Sequence, residues 1–425
     1  MNLFRRELLL SFINAFLMLS ASLQLEDSED LSHIRNRSRK VFDGIYKGIL
    51  REENYSFPLH LTGSKEAAHK SSKKLVCYYV LENEKNNSLL PSDIDPTLCT
   101  HILIGFASVV DSCVVPSKPS DIKGYEWTVS LKRKNPKLKV MLSAGGGSEF
   151  SNAVSSSHNR TKFINSILKL LNRFHFDGVD IDWEFPAWSG SPAMDRINFV
   201  KFLREFNYAS GHKYLLSVAV AAPKTIIDVS YDVPKIARYV DFVNLMSYDY
   251  HDYSQYLPFT GHNSPLFRRS IERGYFATLN TAWSAQYWLE KGLPRSKLLV
   301  GIPTYTHSYK LAVPYMHGFD APAVGTGLGE LTYPEVCNFL KEGGIRVFDK
   351  ESQVPYTYKN LNWIGYDDYQ SVSAKAHWIM KMDFGGAMTY DLNYDDWKGS
   401  CDGKTKFPLH RIIRSILCDK KANCD

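Results

Sequence analysis

Eight short runs of β-branched and aromatic residues recur from residue 75 onward, and amphipathic segments separate them. Strands that alternate with helices form βαβ units, which place the strands parallel in one sheet. Eight such units predict an α/β fold of the (β/α)8 TIM-barrel type. The alternative is a doubly wound open sheet, but no glycine-rich phosphate loop follows an early strand. The runs are 75–80, 101–109, 139–144, 178–185, 214–221, 242–249, 298–305 and 385–392.

The interval between the seventh and eighth runs is too long for a single helix. It contains strand-like pieces of its own, such as VPYTYKNLNWIGY at 354–366. We therefore expect a small α+β insertion subdomain at about 308–363, after the seventh strand, that forms one wall of the cleft.

The first 73 residues differ in composition from the rest. Residues 1–23 carry two arginines, an apolar run and then small residues, which predicts a secretory signal peptide. An uncleaved signal anchor is the alternative, although the run is short for a bilayer span of ~20 residues. Residues 24–73 are polar and charged and are expected to form a flexible stem, followed by the barrel at 74–418 and a tail at 419–425.

The composition indicates the cellular compartment of the protein and limits the kinds of partner it is expected to bind. The chain has 425 residues, of which 44% are hydrophobic, and a net charge of +6 without a basic stripe, so nucleic acid is not an expected partner. Seven cysteines and four Asn-x-Ser/Thr triplets fit a secreted protein, or a type II membrane-anchored one with the barrel outside. We expect a monomer that contacts the membrane only if the first segment remains as an anchor.

The stretch FDGVDIDWEFP, 176–186, places carboxylates on alternate positions of an apolar strand. Residues two apart share a face, so Asp180, Asp182 and Glu184 point into the barrel, with Glu184 at the C-terminal mouth. Like charges this close raise at least one pKa, which supplies a protonated carboxylic acid for general acid catalysis. The alternatives are a solvated acidic strand or a hard-metal site. A metal site would favour a loop of spaced oxygens over a strand flanked by Trp and Phe.

This stretch resembles the signature of glycoside hydrolase family 18, the chitinases and chitinase-like lectins. Other segments between residues 74 and 418 resemble the motifs of that family at successive strands and loops. They are DIDPTLCTHILIGFA, SAGGG, LMSYDYH, TGHNSPLF, GIPTY and GGAMTYDLNYDD. The resemblance implies hydrolysis of β-1,4-linked N-acetylglucosamine in chitin or chitooligosaccharides, with no metal and no cofactor.

The resemblance also implies a substrate-assisted mechanism, in which the 2-acetamido carbonyl of the sugar attacks the anomeric carbon. Glu184 would protonate the glycosidic oxygen and later deprotonate the incoming water. Asp182 would bind the acetamide N–H and Asp180 would share its proton. The other positions counted as catalytic are Asp177, which would orient the start of the strand, Tyr248, which would bind the acetamide oxygen, and Asp249, which would contact the sugar.

Several expected sugar-binding positions depart from the family pattern. Tyr390 and Gly147 stand where the family usually has tryptophans, and Ile104 stands where it usually has a tyrosine. Phe185 replaces a tyrosine after the acid, and Tyr305-Thr306-His307 replaces a Tyr-Gly-Arg motif. Loss of a stacking platform removes about 1 kcal/mol or more of sugar binding. The substrate-binding positions implied by the resemblance are Tyr390, Met246, Tyr305, Phe185, Gly146 and Gly147.

Two functions therefore compete. The intact Glu184 favours a chitinase, and the altered platforms favour a chitooligosaccharide-binding lectin with weak or no turnover.

The resemblance further implies two disulfides, Cys77–Cys99 and Cys337–Cys401. Cys418 and Cys424 could close the tail, which would leave Cys113 as the odd thiol. It also implies cis peptide bonds at Glu184–Phe185 and Tyr390–Asp391.

Overall fold

The computed structural model describes residues 72–81 and 88–418. The predicted signal peptide, the stem up to residue 71 and the tail from residue 419 lie outside these ranges. The strands are β1 (Lys74–Val80), β2 (His101–Val110), β3 (Cys113–Val115), β4 (Lys139–Gly146), β5 (Gly178–Trp183), β6 (Leu215–Ala221), β7 (Phe242–Met246), β8 (Leu298–Pro303), β9 (His307–Leu311), β10 (Ala323–Gly325), β11 (Ile345–Asp349), β12 (Val354–Lys359), β13 (Asn362–Gly365) and β14 (Gly386–Tyr390).

The helices lie mostly between these strands in the chain. They are α1 (Asp121–Ser130), α2 (Glu149–Ser155), α3 (Ser157–Phe174), α4 (Asp195–Ala209), α5 (Lys224–Ser230), α6 (Val233–Ile236), α7 (Thr281–Glu290), α8 (Tyr333–Lys341), α9 (Tyr369–Lys381) and α10 (Pro408–Leu417). Short 3-10 turns occur at Pro91–Asp93, Leu131–Arg133, Phe276–Thr278 and Arg295–Lys297.

Eight parallel strands close into a barrel in the order β1, β14, β8, β7, β6, β5, β4, β2, with β2 pairing back to β1. This confirms the (β/α)8 fold predicted from the alternation of strands and helices. The short strand β3 adds to β2 in antiparallel orientation.

Successive side chains along each barrel strand point alternately outward and inward, so they form two apolar layers. Outward-facing residues such as Leu75, Ile102 and Ile181 pack against the surrounding helices in one large core. Inward-facing residues such as Val76, Leu103 and Met388 fill the barrel in a second core. Because both faces of each strand are buried, the strands read as nearly continuous apolar runs.

A second, five-stranded antiparallel sheet follows β8, in the order β10, β9, β13, β12, β11. Helix α8 lies within the same segment, so the segment is the α+β insertion expected after the seventh barrel strand. Its own core centres on Tyr309 and Trp363, both of which are fully buried.

Both disulfides implied by the resemblance are present, with Cα–Cα distances of 6.2 Å for Cys77–Cys99 and 5.5 Å for Cys337–Cys401. Cys113 is free. The pairing of Cys418 with Cys424 involves a residue outside the described ranges and stays a prediction.

Both predicted cis bonds, Glu184–Phe185 and Tyr390–Asp391, are cis, and a third occurs at Gly105–Phe106. Within residues 72–81 and 88–418, no helix is both long and apolar enough to cross a bilayer.

Candidate active site

Asp180 lies at the centre of the barrel and is fully buried. Its carboxylate accepts four hydrogen bonds, each from a different strand. Oδ2 accepts from Tyr78 at 2.7 Å and Ser143 at 2.8 Å. Oδ1 accepts from Ser217 at 2.6 Å and Asn244 at 3.1 Å. Burial raises the pKa of Asp180, and the four hydrogen bonds oppose part of that rise.

Asp182 follows on the same face, one layer nearer the mouth of the barrel, and is buried. Burial, then the charges of Glu184 and Asp180, raise its pKa well above the usual range. Its Oδ1 atom is buried, and no group in the described part of the chain donates a hydrogen bond to it. Asp182 therefore presents an acceptor that is prepared for an N–H donor from a ligand.

Glu184 directly follows the end of β5, and its side chain is exposed in the cleft. The walls of the cleft exclude much of the surrounding water, which raises the pKa of Glu184, and the charge of Asp249 adds to this rise. A carboxylic acid that a ligand can reach and whose pKa is raised suits proton donation near neutral pH.

Asp249 follows the end of β7 in a left-handed backbone conformation, with φ 57°. Its Oδ1 atom accepts a hydrogen bond from the Tyr305 hydroxyl at 2.6 Å and lies 2.7 Å from Nε2 of His307. The other ring nitrogen of His307 lies 3.3 Å from Asp252. Burial alone would lower the pKa of His307, but its hydrogen bonds to the two carboxylates outweigh burial and raise the pKa to about 10. An imidazolium thus holds Asp249 in place.

A cleft of about 940 Å³ opens at the mouth of the barrel above these groups. Tyr390 lies in its wall, surrounded by aromatic rings. Its ring centroid is 5.5 Å from that of Tyr78, 6.1 Å from Tyr248, 6.0 Å from Tyr305 and 6.4 Å from Phe106. These rings form an aromatic pocket in this part of the cleft, and an aromatic pocket can stack against a flat ligand ring.

The structure brings together most of the positions expected from the sequence. The cleft wall contains the following ones: Asp182, Glu184, Phe185, Gly146, Met246, Tyr248, Asp249, Tyr305 and Tyr390.

Asp177 has the role expected of it, which was to orient the start of the strand by hydrogen bonding, although its place among the catalytic positions is wrong. It lies at the opposite end of β5 from the mouth, because it precedes the strand. It accepts the backbone N–H of Val140 at 2.8 Å and pairs with Lys132 at 2.8 Å, so it anchors the strand and does not face the cleft. Ile104 faces the helix layer and is fully buried in the outer core, so it is not a missing sugar platform.

Gly147 lies just outside the cleft wall, which includes the adjacent Gly146. An added Cβ at Gly147 would have its nearest contact with the backbone oxygen of Glu184, at 3.6 Å, which is an ordinary van der Waals distance. A Cβ atom would therefore fit at this position, so glycine is not required here by a lack of space.

The cleft wall also contains residues that were not identified as ligand contacts from the sequence, among them two strand aromatics and a loop tryptophan. Tyr78 and Phe106 line the cleft from β1 and β2, and the alternation of those strands carried a weak signal for both. Trp188 lines the cleft from the loop after β5, and its indole Nε1 is buried without a partner among the described residues. No local pattern distinguishes this tryptophan from a core residue.

No cluster of three or more His, Cys, Asp or Glu side chains suited to a metal ion occurs in the part of the chain that the structure describes. The chemistry that the cleft itself offers is proton transfer by Glu184 beside a second carboxylate. A TIM barrel with an acidic pair at its C-terminal mouth, flanked by aromatic rings, has the architecture of a glycoside hydrolase.

Comparison with known proteins identifies the family. The family model described as "Glycosyl hydrolases family 18" matches residues 74–395, so the chain belongs to that family. Chitotriosidase-1 of Mus musculus is 37% identical over 370 residues, which cover 82% of this chain and 78% of that protein.

Two solved structures from the family are similar to the chain. An immunomodulatory active chitinase from Trichuris suis superposes with a TM-score of 0.77 at 33% identity, covering 81% of this chain and 100% of that one. Human YKL-39, described as a pseudo-chitinase with retained chitooligosaccharide binding properties, gives a TM-score of 0.76 at 36% identity, with the same coverage. The family relatives thus include both active and inactive proteins.

Proposed function

We propose that the protein hydrolyses β-1,4-linked N-acetylglucosamine oligomers or polymers by a substrate-assisted, retaining mechanism. The observation that carries this proposal is the unpaired Oδ1 atom of Asp182, beside the exposed Glu184. A buried carboxylate oxygen without a donor is costly in a folded protein. The acetamide N–H of the sugar is a donor that would satisfy it.

In the proposed reaction, the sugar occupies the aromatic pocket with its acetamide group facing Asp182. Glu184 donates its proton to the glycosidic oxygen as that bond to the anomeric carbon breaks. The acetamide carbonyl oxygen forms the new bond to the anomeric carbon, which gives an oxazolinium ion that Asp182 stabilises. Glu184, now ionised, takes a proton from water as the water attacks the same carbon, and the acetamide is released.

The neighbouring groups support this sequence of steps. The buried Asp180, held by four donors, lies below Asp182, and its charge contributes, after burial and the charge of Glu184, to the raised pKa of Asp182. The hydroxyl of Tyr248 lies 3.9 Å from Sδ of Met388, a weak contact that it can exchange for the acetamide oxygen.

A chitooligosaccharide-binding lectin is the second candidate. The observation that favours it is the phenol of Tyr390 within the aromatic pocket, where an indole would offer more stacking surface. Under this alternative the site would bind the same oligosaccharides and release them unchanged.

Release of the fluorophore from a soluble fluorogenic chitobioside tests the proposal. The full-length protein and its Glu184→Gln variant should be compared at equal concentration, together with calorimetric binding of chitotetraose to both. Turnover by the native protein that falls at least 100-fold in the variant, with binding kept in both, supports the hydrolase. Binding without turnover by the native protein supports the lectin.

A further inference from the structure

The N-terminal end of the barrel, opposite the cleft, carries a concentration of positive charge. Three helix-to-strand turns lie there side by side: 131–138 before β4, 175–177 before β5 and 210–214 before β6. Six exposed lysines and arginines lie in or directly beside these turns. We call them the basic face: Arg133, Lys134, Lys137, Lys139, Arg173 and Lys213.

The register of the barrel strands brings these turns together. Met141 of β4 is level with Gly178 of β5, which is level with Leu215 of β6. Lys139 and Lys213 each lie two residues before that row, so they are level with each other on either side of β5. Neighbouring strands are about 4.8 Å apart, which places the backbones of the two lysines roughly 10 Å apart. The barrel thus assembles the basic face from distant parts of the chain, none of which carries a long basic stripe.

Hydrogen bonds fix the three turns relative to one another. The ammonium group of Lys132 donates to the carbonyl of His175 at 3.2 Å and to the carboxylate of Asp177 at 2.8 Å, which joins the first turn to the second. The hydroxyl of Tyr214 donates to Oδ1 of Asn172 at 2.6 Å, which joins the third turn to the end of α3. The basic face is therefore a defined surface of the folded barrel.

The positive charge of the basic face is not neutralised within the protein. The segments 131–139, 172–177 and 210–214 contain one acidic residue, Asp177, and this carboxylate is paired with Lys132, which is not a member of the face. None of the six members forms an ion pair with a carboxylate of the described residues. Ordinary solvated surfaces mix charges of both signs, and like charges within a Debye length of about 8 Å repel one another. An anionic partner would relieve this repulsion.

The surroundings of the face indicate which anionic partner it fits. The same three segments expose no large apolar side chain that could enter a membrane. Phe174 and Phe176 are buried, so they offer no platform for stacking of nucleic-acid bases. The two disulfides are typical of proteins in an oxidising compartment, where sulfated sugar polymers are common polyanions. Segments rich in lysine and arginine are also the usual contacts of heparin-like chains.

We propose that the basic face binds a sulfated polysaccharide. Such a polymer carries anionic groups along its length, so one chain that lies across the three turns meets cations throughout. Because the face and the cleft lie at opposite ends of the barrel, a bound polyanion would hold the protein and leave the cleft open. This inference goes beyond the proposed function and does not rest on it.

The test measures binding of a fluorescently labelled heparin decasaccharide to the full-length protein by anisotropy in 0.15 M NaCl. The face variant replaces Lys134, Lys137 and Lys213 by glutamine. A salt slope of about 0.7 per contact, as found for single-stranded polyanions, makes each contact worth roughly fourfold in affinity between 1 M and 0.15 M salt. Loss of three contacts should therefore weaken binding roughly 50-fold.

The matched control variant replaces Lys310, Lys341 and Lys350 by glutamine. These lysines are equally exposed but lie in the insertion, on β9, at the end of α8 and directly after β11. The control loses the same net charge and should bind heparin as the native protein does. Thermal melts establish that both variants are folded. A desulfated decasaccharide should bind the native protein at least tenfold more weakly than the sulfated one.

A second measurement needs no variant. Lysines of the native protein are acetylated with and without the decasaccharide, and the modified positions are mapped by mass spectrometry. Lys134, Lys137 and Lys213 should be protected by the decasaccharide, whereas Lys310 and Lys350 should react equally in both samples.

Four outcomes would overturn the inference. They are no binding by the native protein, unchanged affinity in the face variant, an equal loss of affinity in both variants, and equal acetylation of the face with and without heparin. Tighter binding of a single-stranded DNA decamer than of the decasaccharide would assign the face to nucleic acid and would also overturn it. Each of these results leaves the hydrolase proposal standing, because the cleft lies at the other end of the barrel.

Discussion

Tyr390→Trp is the substitution that best separates a weakened chitinase from a protein adapted to another glycan. The backbone of Tyr390 is held by the amide of Thr304, which donates to its carbonyl at 2.9 Å, so the change affects mainly the side chain. An indole offers roughly 30 Å² more contact area than a phenol, worth about 0.8 kcal/mol at ~25 cal/mol per Å². Removing a hydroxyl that a bound sugar would cover adds about 0.5–2 kcal/mol.

Together these terms give about 1.3–2.8 kcal/mol of additional transition-state binding, or roughly 10- to 100-fold in kcat/KM. The assay is hydrolysis of chitotetraose by the native protein, Tyr390→Trp and Tyr390→Phe. The phenylalanine variant is the matched control, because it removes the hydroxyl without adding area, and it should recover only part of the gain. An unchanged kcat/KM in Tyr390→Trp would refute the reasoning, and weaker binding of a different glycan would indicate another ligand.

Three further predictions concern charge and covalent structure. Asp182→Asn should abolish turnover and raise the melting temperature at pH 7. Because the raised folded-state pKa of Asp182 costs stability as the pH rises, the gain in melting temperature should shrink toward pH 3. A gain that stays constant with pH in thermal melts would contradict the account. His307→Gln should lower the melting temperature at pH 6. The deficit in melting temperature should narrow as the pH rises to about 10, because the stability that charged His307 contributes is present below its unfolded-state pKa and is lost as the pH passes its folded-state pKa. A deficit that is equal at both pH values argues against the ion pair. Replacing Cys337 and Cys401 together by serine removes a disulfide with a sequence separation of 64 residues. The free energy of unfolding, measured with denaturant, should fall by about 4 kcal/mol. An unchanged free energy of unfolding would exclude a stabilising role for this disulfide.

The barrel and the three aligned carboxylates follow from local periodicity. Alternation of strand and helix segments specifies eight βαβ units, and the period of two within β5 places Asp180, Asp182 and Glu184 on one face. The strand–helix alternation and the shared face of the carboxylates depend on residues close together in sequence, so one sequence is enough to predict them.

The partners of those carboxylates depend on the register between distant strands. Ser143 and Ser217 reach Asp180 because they lie level with it on the two neighbouring strands. Nothing within β4 or β6 shows this alignment in advance. The pairing of His307 with Asp249 likewise depends on the start of β9 and the loop after β7, which meet only when the barrel closes.

Errors in the sequence analysis came from assigning sides of a strand by resemblance. Ile104 was treated as a cleft position because the family usually has a tyrosine there, although its register partner Tyr79 lies in the outer core with it. Asp177 was counted among the catalytic positions, although it lies before the first residue of β5 and only its expected role of orienting the strand is confirmed.

The most direct test of substrate-assisted hydrolysis is the configuration of the first product. Proton NMR of chitotetraose, recorded immediately after addition of the full-length protein, distinguishes the two anomers at the newly formed reducing end before they equilibrate. Two successive displacements at the anomeric carbon retain configuration, so the account predicts that the β-anomer appears first and that the Glu184→Gln protein produces none. Initial formation of the α-anomer, or binding of chitotetraose without any cleavage, would contradict it.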